Sequence, residues 1–343
     1  MNPYVFIVGC PRSGTTLLRR IVNSHPQIAI PHRETHWIPR MFENSRGVTP
    51  DGTVTRELVP MLLDEPRFIV LGIGREELRA MITGGRPVSY ASLVTGIFDF
   101  YGRTQGKALV GDKTPGYVRK MNTLHALWPK ARFVHLIRDG RDVCLSWMNW
   151  SKAEKKLGRL ATGKRDPVST VALMWELHVR CGQQAGRWLG PKLYYEIRYE
   201  SLVTRPAEEC AALCAFLEVP YDDAMLRFHE GRTRPAASRD AKHAWLPITP
   251  GLRDWRTDMS SEDVERFEAA TGKLLDELGY ARAIPRPGPE VLEHASEIRG
   301  LLARDPKWID SSWMTPLAFR QANPPHRSEN LCHSKPLAET EVE

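Results

Sequence analysis

The stretch Gly9-Cys10-Pro11-Arg12-Ser13-Gly14-Thr15-Thr16 directly follows the apolar run Tyr4-Val5-Phe6-Ile7-Val8. The run predicts a buried strand, the two glycines bound a tight loop, and the residues after the loop predict a helix. Such a loop binds anions, because backbone N–H groups and the positive end of the helix dipole face the same point. The stretch therefore predicts a phosphate-binding loop at the end of the first strand.

The loop differs from the nucleoside-triphosphate loop GxxxxGK[ST] at one position. Thr15 stands where that motif has the lysine that reaches the outer phosphates. A kinase or nucleotide hydrolase with Asp139 as its magnesium-binding acid is therefore disfavoured, and Arg12 supplies a cation inside the loop instead. We expect an anion of another shape to bind here. The predicted ligands are Arg12, Ser13, Gly14, Thr15 and Thr16.

The remainder of the chain alternates strands with helices. Strands are predicted at 4–8, 108–110, 133–137 and 193–197, the longest helix at about 167–188, and a turn at 198–202. This alternation predicts an α/β fold, a P-loop-type three-layer sandwich with a central parallel sheet flanked by helices. Ligands of such sheets bind at the carboxyl ends of the strands.

Composition shifts predict the domain organisation. Residues 1–283 form the main domain, and short amphipathic segments at about 40–106, broken by Gly and Pro, predict a helical insertion that shapes a pocket. Residues 284–343 form a Pro-rich C-terminal extension with one short helix, partly disordered beyond about residue 321. No internal repeat is visible.

Charge and cysteine content restrict the setting of the protein. The net charge is +7, but the basic residues are dispersed among acids, which predicts a basic surface and no nucleic-acid partner. No apolar run is long enough for a membrane span, and the first strand starts too early to leave room for a signal segment. The six cysteines show no CxxC pair or zinc spacing, which predicts a reducing cytoplasm and no metal. A homodimer is left open.

These segments resemble the sulfotransferases that use 3′-phosphoadenosine-5′-phosphosulfate (PAPS). The resemblance implies that the loop from Pro11 to Thr16 holds the 5′-phosphosulfate. It also implies that Arg138 and Ser146, a strand-ending arginine and a serine on the next helix, hold the 3′-phosphate, and that Tyr199 contacts the nucleotide. PAPS would then be the sulfuryl donor, adenosine 3′,5′-bisphosphate the product, and no metal would be required.

The segment from His32 to Arg40 is similar to the Glu-Glu-Thr-Arg-x-Ile-Pro-Arg segment of tyrosylprotein sulfotransferases. This resemblance implies that Glu34 is the catalytic base and Lys113 the catalytic lysine, and Arg12 completes the predicted catalytic set. Heparan-type sulfotransferases carry an acid directly before that lysine, which makes Asp112 the competing base.

The chain departs from these families at two places. The arginine that positions the reacting groups of tyrosylprotein sulfotransferases is replaced by His36, which we interpret as a packing or surface residue. In these families a Lys or Arg that contacts the nucleotide phosphate usually precedes the C-terminal tryptophan, which is Trp255 here. No basic residue stands at the matching position of this chain. Lys242, His243 and Arg253 are the candidates for its role.

Together these features predict transfer of a sulfuryl group to a hydroxyl oxygen. The acceptor is expected to be a tyrosine in a peptide or protein. The alternative is a small-molecule alcohol or phenol of specialised metabolism. A P-loop kinase and a nucleotide-binding protein without catalysis are more distant alternatives.

Overall fold

The computed structural model describes residues 4–44, 47–82, 87–230, 246–251 and 253–309. Its strands are β1 (Val5–Gly9), β2 (Ile28–Ala29), β3 (Leu109–Lys113), β4 (Arg132–Ile137) and β5 (Tyr194–Arg198). They form one sheet in the order β2-β3-β1-β4-β5, and every neighbouring pair is parallel. The predicted α/β fold with a central parallel sheet is confirmed.

Helices connect the strands and continue beyond the last one. In chain order they are α1 (Thr15–Ser24), α2 (Trp37–Asn44), α3 (Leu58–Leu63), α4 (Arg75–Ile82), α5 (Tyr90–Thr104), α6 (Met121–Leu127), α7 (Gly140–Met148), α8 (Ala153–Leu157), α9 (Pro167–Leu189), α10 (Tyr199–Thr204), α11 (Pro206–Leu217), α12 (Trp255–Asp258), α13 (Ser261–Glu277), α14 (Pro289–Ala303) and α15 (Pro306–Ile309). Short 3₁₀ turns lie at Ile69–Leu71, Pro115–Arg119 and Asp223–Met225. No helix in the described ranges combines the length and the apolar character of a membrane span.

The sheet is buried on both faces, as the three-layer prediction requires. Side chains alternate along a strand, so Phe6 and Val8 pack into one apolar cluster while Val5 and Ile7 pack into another. The first cluster contains the helices of the 40–106 region, and the second contains α1 and α11. A third cluster joins α7, α9, α13 and α14.

The helix after the Pro-rich stretch is longer than predicted. It runs for 15 residues, and Ala295, Ile298 and Leu302 are buried in the same cluster as Trp175 and Phe267. The domain boundary at residue 283 stays a prediction, although apolar contacts join the two sides. Cys332 and the polar tail lie outside the described residues.

Two local predictions were wrong. The strand predicted at 108–110 continues to Lys113, because Gly111, Asp112 and Lys113 pair in register with β1. The segment that begins at Tyr199 was predicted as a turn, but it forms α10. Both changes affect residues at the site.

Candidate active site

The carboxyl ends of β1, β3, β4 and β5 meet at one edge of the sheet, and the candidate site lies there. β1 leads into the predicted loop, in which Gly14 has φ +100°. A Cβ atom at Gly14 would lie 2.6 Å from the ring of Tyr199. Only glycine fits this backbone conformation and this contact, and the Tyr199 ring therefore lies directly against the loop.

The loop offers hydrogen-bond donors to an anion. Thr15 and Thr16 form the start of α1, whose first backbone N–H groups have no acceptor within the helix. Ser13 is fully buried, and its hydroxyl has no hydrogen-bond partner among the described residues. A buried hydroxyl without a partner beside a helix N-terminus is suited to bind a phosphate or sulfate group.

Arg138 lies at the end of β4 and faces Tyr199. Its guanidinium carbon is 4.1 Å from the centre of the Tyr199 ring, and its Nη2 donates to Oδ2 of Asp142 at 3.0 Å. The Nε atom of Arg138 is buried and has no partner in the described part of the chain. This unsatisfied donor is again suited to bind an anion, as predicted for the 3′-phosphate.

Arg12 lies beside α7, which follows Arg138 in the chain. Its Nε donates to the hydroxyl of Ser146 at 3.2 Å, and its guanidinium carbon is 5.4 Å from the centre of the Trp150 ring. Trp147 also ties α7 to the loop, because its Nε1 donates to the carbonyl of Pro11 at 3.2 Å. Arg12 and Ser146 are therefore brought together, and the catalytic role of Arg12 stays a prediction.

Lys113 and Glu34 form the second part of the site. Nζ of Lys113 donates to Oε1 of Glu34 at 2.6 Å and lies 3.5 Å from the hydroxyl of Thr16. The side chain of Lys113 is 5% exposed and that of Glu34 is 34% exposed. A buried cation thus links the loop to a carboxylate that is open on one side.

His36, interpreted from the sequence as a packing or surface residue, is a third member of this group, because its ring also contacts Glu34. Its Nε2 is 2.7 Å from Oε2 of Glu34. Burial by itself raises the pKa of Glu34, but the His36 hydrogen bond and the Lys113 charge lower it to about 2. Both carboxylate oxygens are therefore occupied, and the group is ionised at neutral pH.

Asp112, the competing base, is fully buried. Neither of its carboxyl oxygens has a partner at hydrogen-bond geometry among the described residues, and burial raises its pKa to about 6, although the neighbouring Thr114, Lys113 and Thr35 oppose the shift. Because side chains alternate along β3, Asp112 points away from the sheet face that Lys113 occupies. This burial favours Glu34 over Asp112 on the acceptor side.

The C-terminal segment supplies further charges near Arg138. Burial lowers the pKa of Arg253, and the charge of Arg138 lowers it further while Tyr199 and Asp142 oppose the shift. Arg253 therefore lies close enough to Arg138, Tyr199 and Asp142 to interact with their charges. Lys242 and His243 lie outside the described residues.

Sequence reasoning missed Asp142, which joins Arg138 to the C-terminal segment. Its Oδ1 accepts from the backbone N–H of Trp255 at 3.0 Å. The spacing of four residues between Arg138, which directly follows β4, and Asp142, in the first turn of α7, was the signal that could have found it.

The described residues of the site do not form a set of metal ligands. No group of three or more His, Cys, Asp or Glu side chains in those ranges could hold a metal ion. The arrangement can instead bind an extended anion from Arg138 to Lys113 and place a carboxylate–imidazole pair at one end.

Comparisons with known proteins find a matching family model and relatives of similar sequence. A family model described as the sulfotransferase family matches residues 3–223. The chain is 27% identical over 314 residues to protein-tyrosine sulfotransferase 1 of Danio rerio, covering 87% of this chain and 79% of that protein. It is 26% identical over 297 residues to nodulation protein NoeE of Sinorhizobium fredii, covering 81% of this chain and 66% of that protein.

Solved structures share the fold. The sulfotransferase domain of the Synechococcus PCC 7002 olefin synthase matches with a TM-score of 0.52 and 23% identity, covering 82% of this chain and 95% of that domain. A sulfotransferase domain from the curacin biosynthetic pathway matches with a TM-score of 0.50 and 21% identity, covering 87% of this chain and 98% of that domain.

Proposed function

This chain belongs to the sulfotransferase family, and we propose that it transfers the sulfuryl group of PAPS to the phenol oxygen of a tyrosine in a peptide or protein. The observation that carries the proposal is the Lys113–Glu34 ion pair beside a loop without the usual lysine. The pair places a cation on the donor side and a carboxylate on the acceptor side. Protein-tyrosine sulfotransferases among the relatives support the tyrosine acceptor.

The donor would bind along the edge of the sheet. The loop residues 12–16 face the 5′-phosphosulfate, and Arg138 and Ser146 face the 3′-phosphate. The unsatisfied Nε of Arg138 and hydroxyl of Ser13 support this assignment, because buried donors without partners are uncommon in proteins. Arg253 adds a second positive charge, beside that of Arg138, for the same phosphate, and Tyr199 contacts the nucleotide.

Sulfuryl transfer resembles phosphoryl transfer, in which the protein mainly positions the groups and stabilises charge. The acceptor oxygen forms a bond to sulfur while the bond from sulfur to the 5′-phosphate oxygen breaks. Negative charge grows on that oxygen, and Lys113 and the N-terminus of α1 are the groups that stabilise it. Glu34 and His36 stand on the acceptor side, where the phenol loses its proton.

Positive charges around Glu34 favour an acidic acceptor peptide. Burial lowers the pKa of Lys156 on α8, and the charges of Arg159, Arg67 and Lys152 lower it further while Glu34 opposes them. Arg159, Arg67 and Lys152 are exposed cations close enough to Lys156 to act on its charge, and Lys156 in turn interacts with Glu34. A tyrosine flanked by acidic residues would complement them.

The test is a transfer assay with sulfur-labelled PAPS. It offers tyrosine peptides with acidic or neutral flanks, the same peptides with phenylalanine in place of tyrosine, and a small-molecule extract. We expect label in the tyrosine peptides, more with acidic flanks, and none in the phenylalanine peptides. Label only in the small-molecule fraction would replace the tyrosine acceptor with a small hydroxyl compound.

Two variants connect the activity to the site. Lys113→Ala is expected to lower kcat by about 10²–10³-fold, the loss typical of a removed charge-stabilising donor. Lys192→Ala is the matched control, because Lys192 is exposed in the loop before β5 at the other end of the strand. Normal turnover by Lys113→Ala with PAPS bound would contradict the proposed mechanism.

A further inference from the structure

The carboxylate of Glu34 is poorly suited to take a proton itself. Lys113 bonds one of its oxygens at 2.6 Å and His36 bonds the other at 2.7 Å. These two partners hold its pKa at about 2 against the opposing effect of burial. A general base works best when its pKa lies near the working pH, so a second group is needed for an acceptor with a phenol proton.

His36 lies in a strained turn. Its φ is +52°, in the left-handed region that few side chains adopt, and the N–H of Trp37 bonds the carbonyl of Thr35 at 2.6 Å. A hydrogen bond from residue i+2 back to residue i, with positive φ between them, is the rare and strained form of the γ-turn. Strain of this kind persists only where the surroundings enforce it, and it is concentrated at functional sites.

The surroundings of this turn do enforce it. The N–H of Thr35 donates to the hydroxyl of Thr114 at 3.0 Å, and the Thr35 hydroxyl lies 2.7 Å from that of Tyr117. On the other side, Trp37 is fully buried and packs edge-on against Phe68. Both neighbours of His36 are therefore fixed, and the turn directs the imidazole onto Glu34.

The contact with Glu34 also decides which ring nitrogen can react. An ionised carboxylate only accepts hydrogen bonds, so the proton of the neutral ring lies on Nε2. Nδ1 then carries a free lone pair, and no described residue donates a hydrogen bond to it. The side chain of His36 is 39% exposed, so an acceptor can approach it.

The geometry points to His36 as a catalytic residue: its Nδ1 takes the proton of the acceptor hydroxyl, and Glu34 orients the ring. This inference rests on the proposed function. In the reaction the acceptor O–H bond breaks and its electron pair forms the bond to sulfur. The electron pair of the broken sulfur–oxygen bond stays with the 5′-phosphate of adenosine 3′,5′-bisphosphate. The proton stays on the imidazole, whose new charge Glu34 stabilises, and it then passes to water.

The neighbouring charges act on Glu34 from several elements. Lys113 approaches it from β3 and Lys156 from α8, and Asp112 interacts with both Glu34 and Lys113 from beneath the sheet edge. Because Lys113 and Lys156 disfavour a further positive charge, Glu34 is the group that stabilises an imidazolium here.

The test compares His36→Gln with the wild type on two acceptors. Glutamine can still donate a hydrogen bond to Glu34 but cannot take a proton. With a tyrosine peptide we expect kcat to fall by about 10²-fold or more, the usual contribution of a general base. The Kd for adenosine 3′,5′-bisphosphate and the acceptor KM should stay unchanged. With a polyfluorinated tyrosine, whose phenol is already ionised at neutral pH, the loss should disappear.

Two further variants allow for strain in the turn. His36→Asn suits positive φ better than glutamine, and His36→Gly leaves space that added imidazole can fill. We expect imidazole to restore turnover in the glycine variant. His125→Gln, on α6, is the matched control.

Each outcome decides between distinct conclusions. A kcat that is unchanged in His36→Gln, or reduced equally for both acceptors, would overturn the role of His36 while leaving the sulfotransferase function intact. A glycine variant that binds adenosine 3′,5′-bisphosphate normally but is not rescued would do the same. Absence of transfer by the wild type to every acceptor would instead reject the proposed function, and this inference with it.

Discussion

Asp112 and Lys113 are adjacent residues of β3 whose side chains lie on opposite faces of the sheet. Because β3 extends to Lys113, alternation along the strand sends Lys113 toward Glu34 and Thr16 and sends Asp112 into the protein. A carboxylate buried without a hydrogen-bond partner is costly to ionise. The same strand therefore supplies the cation of the site and a source of instability.

Replacing Asp112 by asparagine is expected to stabilise the protein at alkaline pH. The folded carboxyl, with its pKa raised to about 6 by burial, holds its proton more tightly than the unfolded one, near 3.9. The folded state thus binds more protons between about pH 4 and 6, and the wild type loses stability as the pH rises through that window. At pH 8 Asp112→Asn should gain up to ~3 kcal/mol, at about 1.4 kcal/mol per pKa unit.

Urea unfolding at pH 8 and pH 4 measures this effect. The gain should shrink toward pH 4, where the wild-type carboxyl is protonated in the folded state. Asp64→Asn, at an exposed position, is the control and should change the unfolding free energy by less than about 0.5 kcal/mol. A gain of equal size at both pH values would show that the Asp112 charge is not its source.

At the scale of elements, the connection from β2 to α2 is held by one tyrosine. The hydroxyl of Tyr117 contacts the Thr35 hydroxyl at 2.7 Å and accepts from the N–H of Ile38 at 3.2 Å. Ile38 is also fixed from the other side, since its carbonyl accepts from the hydroxyl of Tyr90 at 2.8 Å. The 3₁₀ turn after β3 thereby positions the turn that carries Glu34 and His36.

Tyr117→Phe is expected to weaken this element without affecting donor binding. The substitution leaves the Thr35 hydroxyl and the Ile38 N–H buried with one partner fewer, which costs about 1–3 kcal/mol. The unfolding free energy and kcat should both fall, while the Kd for adenosine 3′,5′-bisphosphate stays the same. Tyr101→Phe is the control, since no described residue hydrogen-bonds that hydroxyl. An unchanged kcat in Tyr117→Phe would show that the turn keeps its geometry without this contact.

A second connection joins β4 and α7 to the C-terminal segment. Fully buried Arg141 forms ion pairs with Asp139 at 2.7 Å and Glu268 at 2.6 Å, and its guanidinium carbon lies 3.6 Å from the centre of the Trp255 ring. Trp255 also donates from Nε1 to Asp139 at 3.1 Å. Buried ion pairs of this kind fix orientation more reliably than they add stability. The network orients the start of α7, and with it Asp142 beside Arg138.

At the scale of the whole molecule, two histidines are enclosed where α9 crosses the sheet. His135 on β4 and His178 on α9 are buried, and burial is the main cause that lowers the pKa of each to about 3. An unfolded imidazole binds a proton below about pH 6.5. Between these values the unfolded state binds more protons than the folded state.

We therefore expect the free energy of unfolding to fall as the pH is lowered from about 6.5 toward 3. Two such groups give a slope of up to about 3 kcal/mol per pH unit. Urea titrations at several pH values in this window measure it, preferably in the Asp112→Asn protein, because Asp112 contributes with the opposite sign. His178→Gln should reduce the slope by about half. An unaltered slope in that variant would mean that His178 is accessible to protons in the folded state.

Much of the architecture could be predicted from the sequence. The apolar run before Gly9, the glycine at 14 and the alternation of strands and helices are local patterns, and each is read correctly without knowledge of distant residues. The loop was also found in this way, whereas the strand-ending Arg138 and the segment around Glu34 were singled out by their resemblance to sulfotransferases. Their roles in binding and catalysis, the cytoplasmic setting and the homodimer stay predictions.

Only the tertiary structure decided how these groups meet. Lys113 and Glu34 are separated by 79 positions in the chain, and the burial of Asp112 depended on where β3 ends. The positive φ of His36 is likewise imposed by contacts of its neighbours with β3 and Tyr117. Local sequence determines which segments become strands and helices, because hydrogen bonding and side-chain periodicity act over a few residues. Burial, strain and charge pairing arise between distant segments, so they are decided only when the sheet and its layers are assembled.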